Sequence, residues 1–300
     1  MKIVSYQQAG GVTGDGSPRD SWRAGVLRED GVIDVASLAI DWPEGEAPRS
    51  VREVLERGKP ALARIAEACA DVPQDVLLAR DEVRVGPPVP DPDKIICIGL
   101  NYFEHVGEVD MEVPPAPILF AKFRNCLQAH EAPIILPPHT DQVDYEGELA
   151  VVIGARCKNA TRESALDHVA GYMPFNDVSA RDLQMQVSQW TTGKAVDTFA
   201  PCGPALVTAD EVGDPSELEI RTRLNGEVVQ EAPTSLMMFD VPSLIEFISR
   251  NITLEPGDII ATGTPAGVGF TREPPLFLRE GDLVEVEIEK VGLLANPVQR

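Results

Sequence analysis

The stretch DYEGELAVVIG, from Asp144 to Gly154, indicates a strand that begins with two carboxylates. Its apolar run is rich in valine and isoleucine, which favour strands. Side chains alternate between the two faces of a strand, so Glu146 and Glu148 project to the same side. Their like charges repel each other unless a positive group lies between them. The stretch therefore predicts a strand with a cation near its beginning.

The sequence on either side of this strand also predicts mainly strands. LVEVEIEKV, residues 283–291, alternates valine and isoleucine with glutamate, which is typical of a sheet with one solvent-exposed face. The clearest helix runs from Val241 to Asn251 and carries an apolar stripe. Five other segments predict strands, namely IICIGL, PILFAKF, ALVTADEV, LEIRTRLNGEVVQ and DIIATG. We therefore predict an α+β, mostly β fold in which the sheet folds on itself as a sandwich or barrel.

The N-terminal residues predict a small α/β domain over residues 1–86. MKIVSY, SWRAGVL and GVIDVASL resemble short strands, and SVREVLERGKPALARIAEACA predicts two helices interrupted at Gly58 and Pro60. GPPVPDP, residues 86–92, is too rich in proline for a helix or a central strand. We place the domain boundary there, so the predicted catalytic domain covers residues 93–300.

Composition narrows the classes of partner. The formal net charge is −22 and no basic patch is found, so we expect no nucleic-acid partner. The apolar runs are short and the N-terminus lacks the apolar block of a signal peptide, so we expect no membrane span and a cytoplasmic location. The five cysteines are scattered and contain no CxxC pair, which argues against a disulfide framework and a zinc ribbon. An anionic small substrate remains compatible if the local field of its pocket is positive.

A third carboxylate is a candidate partner for the glutamate pair. Asp177 follows the apolar run of GYMPFNDVSARDLQ, and three converging carboxylates would form an all-oxygen ligand set. Such a set favours a hard ion such as Mg²⁺, Mn²⁺ or Ca²⁺ and leaves coordination positions open for a substrate. The residues alone also permit a solvated strand face at Glu146 and Glu148 and a turn or helix cap at Asp177.

GLNYFEHVGE, residues 99–108, contains a candidate general base. His105 and Glu108 are three residues apart, so on a helical turn the carboxylate can orient and polarise the imidazole. A histidine held in this way can activate water. Gly99 and Gly107 flank the pair and would allow the segment to move as a lid. The alternative is a surface histidine beside an acidic neighbour, which is common in so acidic a chain.

Five segments occur in an order that resembles the fumarylacetoacetate hydrolase superfamily. In chain order they are GLNYFEHVGE, DYEGELAVVIG, NDVSARDLQ, TTGKAVDTFAPCGP and EPGDIIATGTPAGVG. The resemblance covers the chain from Lys94 onward. It implies a mixed β-roll, a homodimer and a divalent metal, usually Mg²⁺, at the positions of Glu146, Glu148 and Asp177. IICIGL offers no carboxylate where longer members carry another metal ligand, which implies the smaller, three-carboxylate type.

The resemblance also implies roles for further residues. It implies a catalytic set of His105, Glu108 and Lys194, with His105 and Glu108 on a lid. Substrate contacts are implied at Arg181, Gln184, Lys194 and Thr264, with Lys122 as a further lysine near the pocket. TGTPAGVG lacks the Gly-Lys-Ser/Thr ending of a phosphate-binding loop. We interpret it instead as a tight turn that brings Gly263 and Thr264 to the substrate carboxylate.

The predicted chemistry starts from a small anionic 2-oxoacid. Its carboxylate and ketone oxygens suit a metal with open positions, and a Lewis acid stabilises the enolate that bond cleavage leaves behind. Lys194 and Arg181 would offset the substrate's charge. The His–Glu pair favours hydrolysis of an acylpyruvate such as fumarylpyruvate or acetylpyruvate by activated water. Oxaloacetate decarboxylation, isomerisation of an unsaturated 2-oxoacid, and a metal- or ligand-binding protein without turnover are the alternatives.

Overall fold

Short strands dominate the computed structural model, which describes residues 1–8, 22–72, 76–108 and 112–300. The predicted N-terminal module is described without residues 9–21 and 73–75, so the prediction made for those residues lies outside the described part. The strands are β1 (Lys2–Gln8), β2 (Arg23–Leu27), β3 (Gly31–Asp34), β4 (Leu77–Ala79), β5 (Val83–Val85), β6 (Ile95–Gly99), β7 (Ile118–Lys122), β8 (Leu127–Gln128), β9 (Ile134–Ile135), β10 (Val143–Asp144), β11 (Gly147–Ile153), β12 (Val169–Asn176), β13 (Ser179–Ala180), β14 (Ala200–Pro201), β15 (Leu206–Thr208), β16 (Glu219–Leu224), β17 (Glu227–Pro233), β18 (Ile259–Ala261), β19 (Leu283–Ile288) and β20 (Gly292–Gln299).

Within the described residues, seven α-helices accompany these strands, and five of them are no more than six residues long. They are α1 (Val51–Glu56), α2 (Gly58–Ala68), α3 (Phe103–Glu108), α4 (Arg181–Gln184), α5 (Thr191–Lys194), α6 (Ala209–Val212) and α7 (Val241–Asn251). Helix α7 has the predicted bounds, and Asp240 caps it by accepting a hydrogen bond from the Ser243 amide. Among the described helices, none is both long enough and apolar enough to cross a membrane.

The largest sheet has eleven strands in the order β4-β3-β2-β1-β15-β12-β11-β18-β6-β7, with β5 also paired to β1. Its inner strands are covered on both faces. In β11, Ala150 and Val152 belong to one apolar core, whereas Leu149 and Val151 belong to another. Burial on both faces explains why the sequence of β11 is continuously apolar after its first residues.

A second sheet covers one face of the first. Its five strands run β17-β16-β19-β20-β9. Val286 and Ile288 of β19 share an apolar core with Leu149 and Val151 of β11. The helix α7 contributes Leu244 to the same core. The α+β, mostly β fold class predicted from the sequence is therefore confirmed.

The N-terminal strands are part of the large sheet. Strand β1 pairs antiparallel with β15, which places Lys2 opposite Val207 and Ile3 opposite Leu206. Helices α1 and α2 pack on the face of the sheet that also carries Ala150 and Val152. The large sheet and one apolar core thus contain residues from both sides of the proline-rich residues 86–92. The division into domains at residues 1–86 and 93–300 stays a prediction.

One predicted strand is only half correct. ALVTADEV forms β15 over Leu206–Thr208, but the next four residues are helix α6. Asp210 and Glu211 lie in the first turn of that helix, where negative charge interacts favourably with the free backbone amides. This local preference ends the strand.

Candidate active site

Three carboxylates converge where β11 and β12 meet. These strands pair antiparallel with Gly147 opposite Asn176, and the amide of Asp177 donates to the carbonyl of Glu146 at 2.8 Å. Glu146 and Asp177 therefore face each other just beyond the strand ends, while Glu148 lies two residues further along β11. One oxygen from each of the three side chains lies within 4.8 Å of the others, and all three residues are buried.

Two lysines partly neutralise this cluster. Lys194 Nζ lies 2.7 Å from Glu146 Oε2 and 2.9 Å from Asp177 Oδ2. Lys122 Nζ lies 2.7 Å from Asp177 Oδ1. Burial favours the neutral amine of Lys194, but the negative charges of Asp177 and Glu146 outweigh burial and raise its pKa. Lys194 is therefore held as a cation.

Glu148 has no cation in contact within the described parts of the chain. Its Oε2 accepts a hydrogen bond from the Gly263 amide at 2.8 Å. Burial, together with the charges of Asp177 and Glu146, raises the pKa of Glu148 well above its ordinary value. Burial acts in the same direction on Glu146, but there Lys194 and Arg181 prevail and lower the pKa.

The carboxylate cluster fits a divalent metal. It offers only oxygen donors, which hard cations such as Mg²⁺ and Mn²⁺ prefer. Glu148 supplies the decisive observation, because a buried carboxylate without a cation carries a cost that a metal removes. Glu146, Glu148 and Asp177 are the residues that would hold the ion.

Arg181 joins the cluster to a fourth buried acid, Asp144. Its Nε donates to Asp144 Oδ2 at 2.9 Å, and its Nη1 donates to Glu146 Oε1 at 2.5 Å and to Gln184 Oε1 at 3.1 Å. The guanidinium carbon also lies 4.4 Å from the ring centroid of Phe270. Asp144 in turn accepts from the amides of Gly269 and Phe270. Arg181 is thus fixed on three sides.

The predicted His–Glu pair forms on helix α3. His105 Nδ1 lies 3.1 Å from Glu108 Oε2. The other oxygen of Glu108 accepts from the Gly267 amide at 3.0 Å and from Thr271 Oγ1 at 2.8 Å. Burial alone would raise the pKa of Glu108, but the hydrogen bonds from His105, Thr271 and Gly267 lower it. Glu108 is therefore ionised at neutral pH and accepts from Nδ1 of His105, so in the neutral imidazole Nε2 is the nitrogen that carries no proton.

A pocket of about 160 Å³ connects His105 with the carboxylate cluster. Its polar lining comes from the predicted site, and aromatic and aliphatic side chains form the remainder. The lining residues are Ile98, Gly99, Leu100, His105, Phe120, Glu146, Arg181, Gln184, Met185, Trp190, Lys194, Thr264 and Phe270. The structure therefore brings the His105 imidazole, two cationic side chains and one of the metal-binding candidates to a single small cavity.

The glycine-rich turn borders this cavity with one of its two predicted residues. Thr264 lines the pocket, and its hydroxyl donates to the Gly147 carbonyl at 3.0 Å and accepts from Gln230 Nε2 at 2.8 Å. Gly263 is not among the lining residues, and its amide is used by Glu148. Its φ of +97° and the approach of an added Cβ to Asn101 Cβ at 2.7 Å both require glycine there.

Lys122 lies beside Asp177, one of the three carboxylates of the cluster. It is 2 % exposed, does not line the pocket, and donates to the carbonyls of Val178 and Phe199 at 2.8 and 2.6 Å. Its ammonium group also forms the ion pair with Asp177. The structure therefore favours a role in holding Asp177 over direct contact with a substrate.

Sequence reasoning missed Asp144 and the aromatic lining. Asp144 precedes Glu146 by two residues, as Glu146 precedes Glu148, so the period of a strand was a usable signal for its position. No such signal existed for Trp190, Phe120 and Phe270. They come from separate loops and strands, and only the folded chain brings them to one pocket.

The sequence pattern described as fumarylacetoacetate hydrolase, C-terminal, matches residues 94–299. The chain belongs to the fumarylacetoacetate hydrolase superfamily. A curated member, the mitochondrial oxaloacetate tautomerase fahd2 of Xenopus laevis, is 43% identical over 302 residues, covering 99% of this chain and 90% of the relative.

Solved structures of the superfamily share the fold. The fumarylacetoacetate hydrolase of Exiguobacterium antarcticum superposes with a TM-score of 0.81 at 39% identity, covering 100% of this chain and 99% of its own. The maleylpyruvate hydrolase of Sphingobium sp. SYK-6, solved with manganese(II) and pyruvate, has a TM-score of 0.77 at 30% identity. The match covers 100% of this chain and 99% of the hydrolase chain. The predicted family is therefore confirmed, and a divalent metal agrees with both the acidic cluster and the manganese complex.

Proposed function

We propose that this chain is a divalent-metal-dependent enzyme that enolises short 2-oxoacids, with keto–enol tautomerisation of oxaloacetate as the first candidate reaction. The observation that carries the proposal is that one small pocket is lined both by His105, which Glu108 holds, and by Glu146, a member of the cluster of three buried carboxylates. A base and an anion-binding end in one cavity are what the removal of a proton beside a ketone requires. The name of the Xenopus laevis relative supports oxaloacetate as the substrate.

Each side chain has a role in this proposal. Glu146, Glu148 and Asp177 hold Mg²⁺ or Mn²⁺. When bound, the ion supplies a Lewis acid that draws electron density from the ketone of the substrate. Lys194 and Arg181 line the pocket as cations and orient the substrate's carboxylate. Gln184 and Thr264 add neutral hydrogen-bonding groups at the same wall.

His105 moves the proton. Glu108 holds Nδ1–H, so in the neutral imidazole Nε2 is the nitrogen that can accept a proton from the carbon next to the ketone. The imidazolium that forms is stabilised by the Glu108 carboxylate and returns the proton to the enolate oxygen. No water is consumed, and atoms and charge balance within the substrate and the imidazole.

Hydrolysis of an acylpyruvate is the second candidate. The same Nε2 can deprotonate a water molecule whose oxygen attacks the distal carbonyl, with cleavage of the carbon–carbon bond to give the enolate of pyruvate. The maleylpyruvate hydrolase that shares this fold supports this reaction class. Homodimer formation and cytoplasmic location stay predictions.

The deciding experiment compares reactions on one protein preparation. We expect Mg²⁺- or Mn²⁺-dependent loss of the ultraviolet absorbance of enol-oxaloacetate, and abolition of this rate by a chelator. Acetylpyruvate and fumarylpyruvate, assayed for release of pyruvate, test hydrolysis, and release of CO₂ from oxaloacetate tests decarboxylation. Absence of all three activities with both metals would contradict the proposal and favour a binding protein without turnover.

A further inference from the structure

Trp190 lines the pocket but has no part in the proposed chemistry. It is half-buried and directly precedes helix α5, which ends at Lys194. Its carbonyl accepts hydrogen bonds from the amides of Gly193 and Lys194, each at 3.0 Å. The position of the indole and the position of the Lys194 backbone are therefore linked through one short helical turn.

The indole belongs to a chain of contacts that leads to the carboxylate cluster. The rings of Trp190 and Phe120 meet edge to face, with centroids 5.3 Å apart and an interplanar angle of 69°. Lys194 Nζ lies 5.1 Å from the Phe120 centroid and binds Glu146. Phe120 thus contacts both the indole of Trp190 and the ammonium group of Lys194, and Trp190 and Phe120 both belong to the apolar lining of the pocket.

Gly99 provides the space that the indole occupies. A Cβ built on Gly99 would lie 2.5 Å from Cζ3 and 2.8 Å from Cη2 of Trp190, closer than real Cβ atoms approach. Gly99 is the last residue of β6, and its backbone is not in the left-handed region. Alanine is therefore compatible with the backbone there and incompatible only with the present position of the ring.

The pocket that Trp190 and Phe120 line is small. Ligand pockets commonly measure roughly 300–1,000 Å³, whereas this one measures about 160 Å³. A pocket of this size favours a substrate with few non-hydrogen atoms over one with a phenyl ring or a long acyl chain beyond the 2-oxoacid group. Trp190 and Phe120 form part of its apolar lining.

We propose that Trp190, seated against Gly99, determines substrate size: the site accepts 2-oxoacids of about the length of oxaloacetate and rejects those with an aromatic or long distal group. The inference rests on the proposed function for the 2-oxoacid class. It adds a selection rule within that class, and it assigns the rule to a side chain that takes no part in proton transfer.

The test measures selectivity in the Mn²⁺-loaded protein by calorimetric binding of oxalate, a short probe, and phenylpyruvate, a long probe. The kcat/KM for enolisation of oxaloacetate and that for enolisation of phenylpyruvate are also measured, and their ratio is compared with the binding ratio. Trp190→Ala should shift both ratios toward phenylpyruvate by roughly tenfold or more, in the range that pocket size commonly contributes. Trp190→Phe, the matched control that retains a ring, should shift them much less.

Gly99→Ala should displace the Trp190 ring without removing it, and it serves as the second variant of the experiment. It should change the binding ratio by at least about threefold, as expected for residues in contact. In the double variant with Trp190→Ala, the methyl group should have no additional effect because its collision partner is gone. An unchanged ratio in Trp190→Ala would overturn the inference, as would a Gly99→Ala effect of equal size in both backgrounds.

If Trp190→Ala does not fold, the Trp190→Phe and Gly99→Ala single variants decide by the same binding ratio, and a ratio unaltered in Gly99→Ala overturns the inference. If the wild type turns over no 2-oxoacid, the proposed function fails, while the calorimetric ratio still decides whether Trp190 sets the size of ligand accepted. The two failures are therefore distinguishable.

Discussion

Glu148 illustrates what residue types and spacing reveal about the site and what they leave out. The two-residue step from Glu146 predicted that both side chains share a face, and the cluster has that arrangement. The three-residue step from His105 to Glu108 likewise predicted their contact. Spacing did not reveal that lysines contact Glu146 and Asp177 but not Glu148, because Lys122 and Lys194 arrive from distant parts of the chain.

Replacing Glu148 with glutamine should weaken metal binding and leave the metal-free protein at least as stable. A direct ligand is lost, so we expect a loss of Mn²⁺ affinity no smaller than the roughly 10–100-fold seen for outer-shell changes. The amide oxygen can still accept the Gly263 hydrogen bond, and the buried negative charge is gone. Mn²⁺ titration followed by electron paramagnetic resonance, together with melting in a chelator, measures both effects.

The control for this change is Glu289→Gln, which makes the same substitution at an exposed position. It should alter neither Mn²⁺ affinity nor the melting temperature of the chelated protein. Wild-type Mn²⁺ affinity in the Glu148 variant would contradict the assignment of Glu148 as a ligand.

Replacing His105 with alanine should remove the proton-transfer group without disturbing the carboxylates. We expect enolisation and any acylpyruvate hydrolysis to fall by roughly 10²–10⁴-fold, the usual contribution of general acid–base catalysis. Decarboxylation of oxaloacetate, which needs no such base, should fall much less. Stopped-flow absorbance measures enolisation, with His139→Ala, at an exposed histidine, as the control. Equal losses in all reactions would argue against the role of His105 as the base.

At the scale of elements, local signals predicted local structure well. The Asn225–Gly226 turn joins β16 to β17 with φ values of +53° and +85°, as an Asn-Gly hairpin requires. Gly99 shows the limit of such signals. Its sequence context suggested a flexible flank of a lid, whereas the structure shows close packing with Trp190. Only a contact 91 positions away in the chain explains the glycine, and no local pattern contains that information.

The loop that follows β8 supplies a pH-dependent contact to β20. His130 Nδ1 accepts a hydrogen bond from the Ala295 amide at 3.0 Å, so protonation of that nitrogen breaks the bond. Burial lowers the pKa of His130, opposed by Glu131 and assisted by Arg80. His130 therefore binds a proton less readily in the folded state than in the unfolded chain, where a histidine titrates near about pH 6.5.

It follows that His130 lowers stability as the pH falls below about 6.5. We expect the free energy of unfolding to decrease from pH 7.5 to pH 5.5, and we expect His130→Asn to show a smaller decrease. Asparagine can still accept from the Ala295 amide through its side-chain oxygen, and it does not titrate. Urea denaturation at the two pH values measures the difference, with His139→Asn as the control. An identical pH dependence in His130→Asn and the wild type would contradict this assignment.

At the scale of the whole molecule, the fold class was predictable and the assembly of the sheet was not. Alternation in segments such as LVEVEIEKV identified strands and their buried faces. Proline-rich residues 86–92 suggested a boundary, yet β1 pairs with β15 some 200 residues later in the chain. Pairing over such a separation depends on the packing of the entire core and leaves no mark in local composition.

The continuous sheet predicts a single unfolding event. Ile3 and Ile33 share one apolar core with Ala150 and Ile259, so neither side of residues 86–92 can lose its packing alone. Differential scanning calorimetry should show one transition whose calorimetric and van't Hoff enthalpies agree. Two separate transitions would instead support independent domains at residues 1–86 and 93–300.

The placement of the proposed metal ligands on inner strands also bears on how the protein can be re-engineered. Glu148 lies in β11 and Asp177 directly follows β12, both in the middle of the sheet, whereas Trp190 lies after the exposed residues 185–189. Mutagenesis libraries confined to residues 185–190 therefore vary an exposed loop and one pocket-lining residue while the sequence of the ligand-bearing strands stays unchanged. Directed evolution toward larger acids should begin with that loop and leave the strands unchanged.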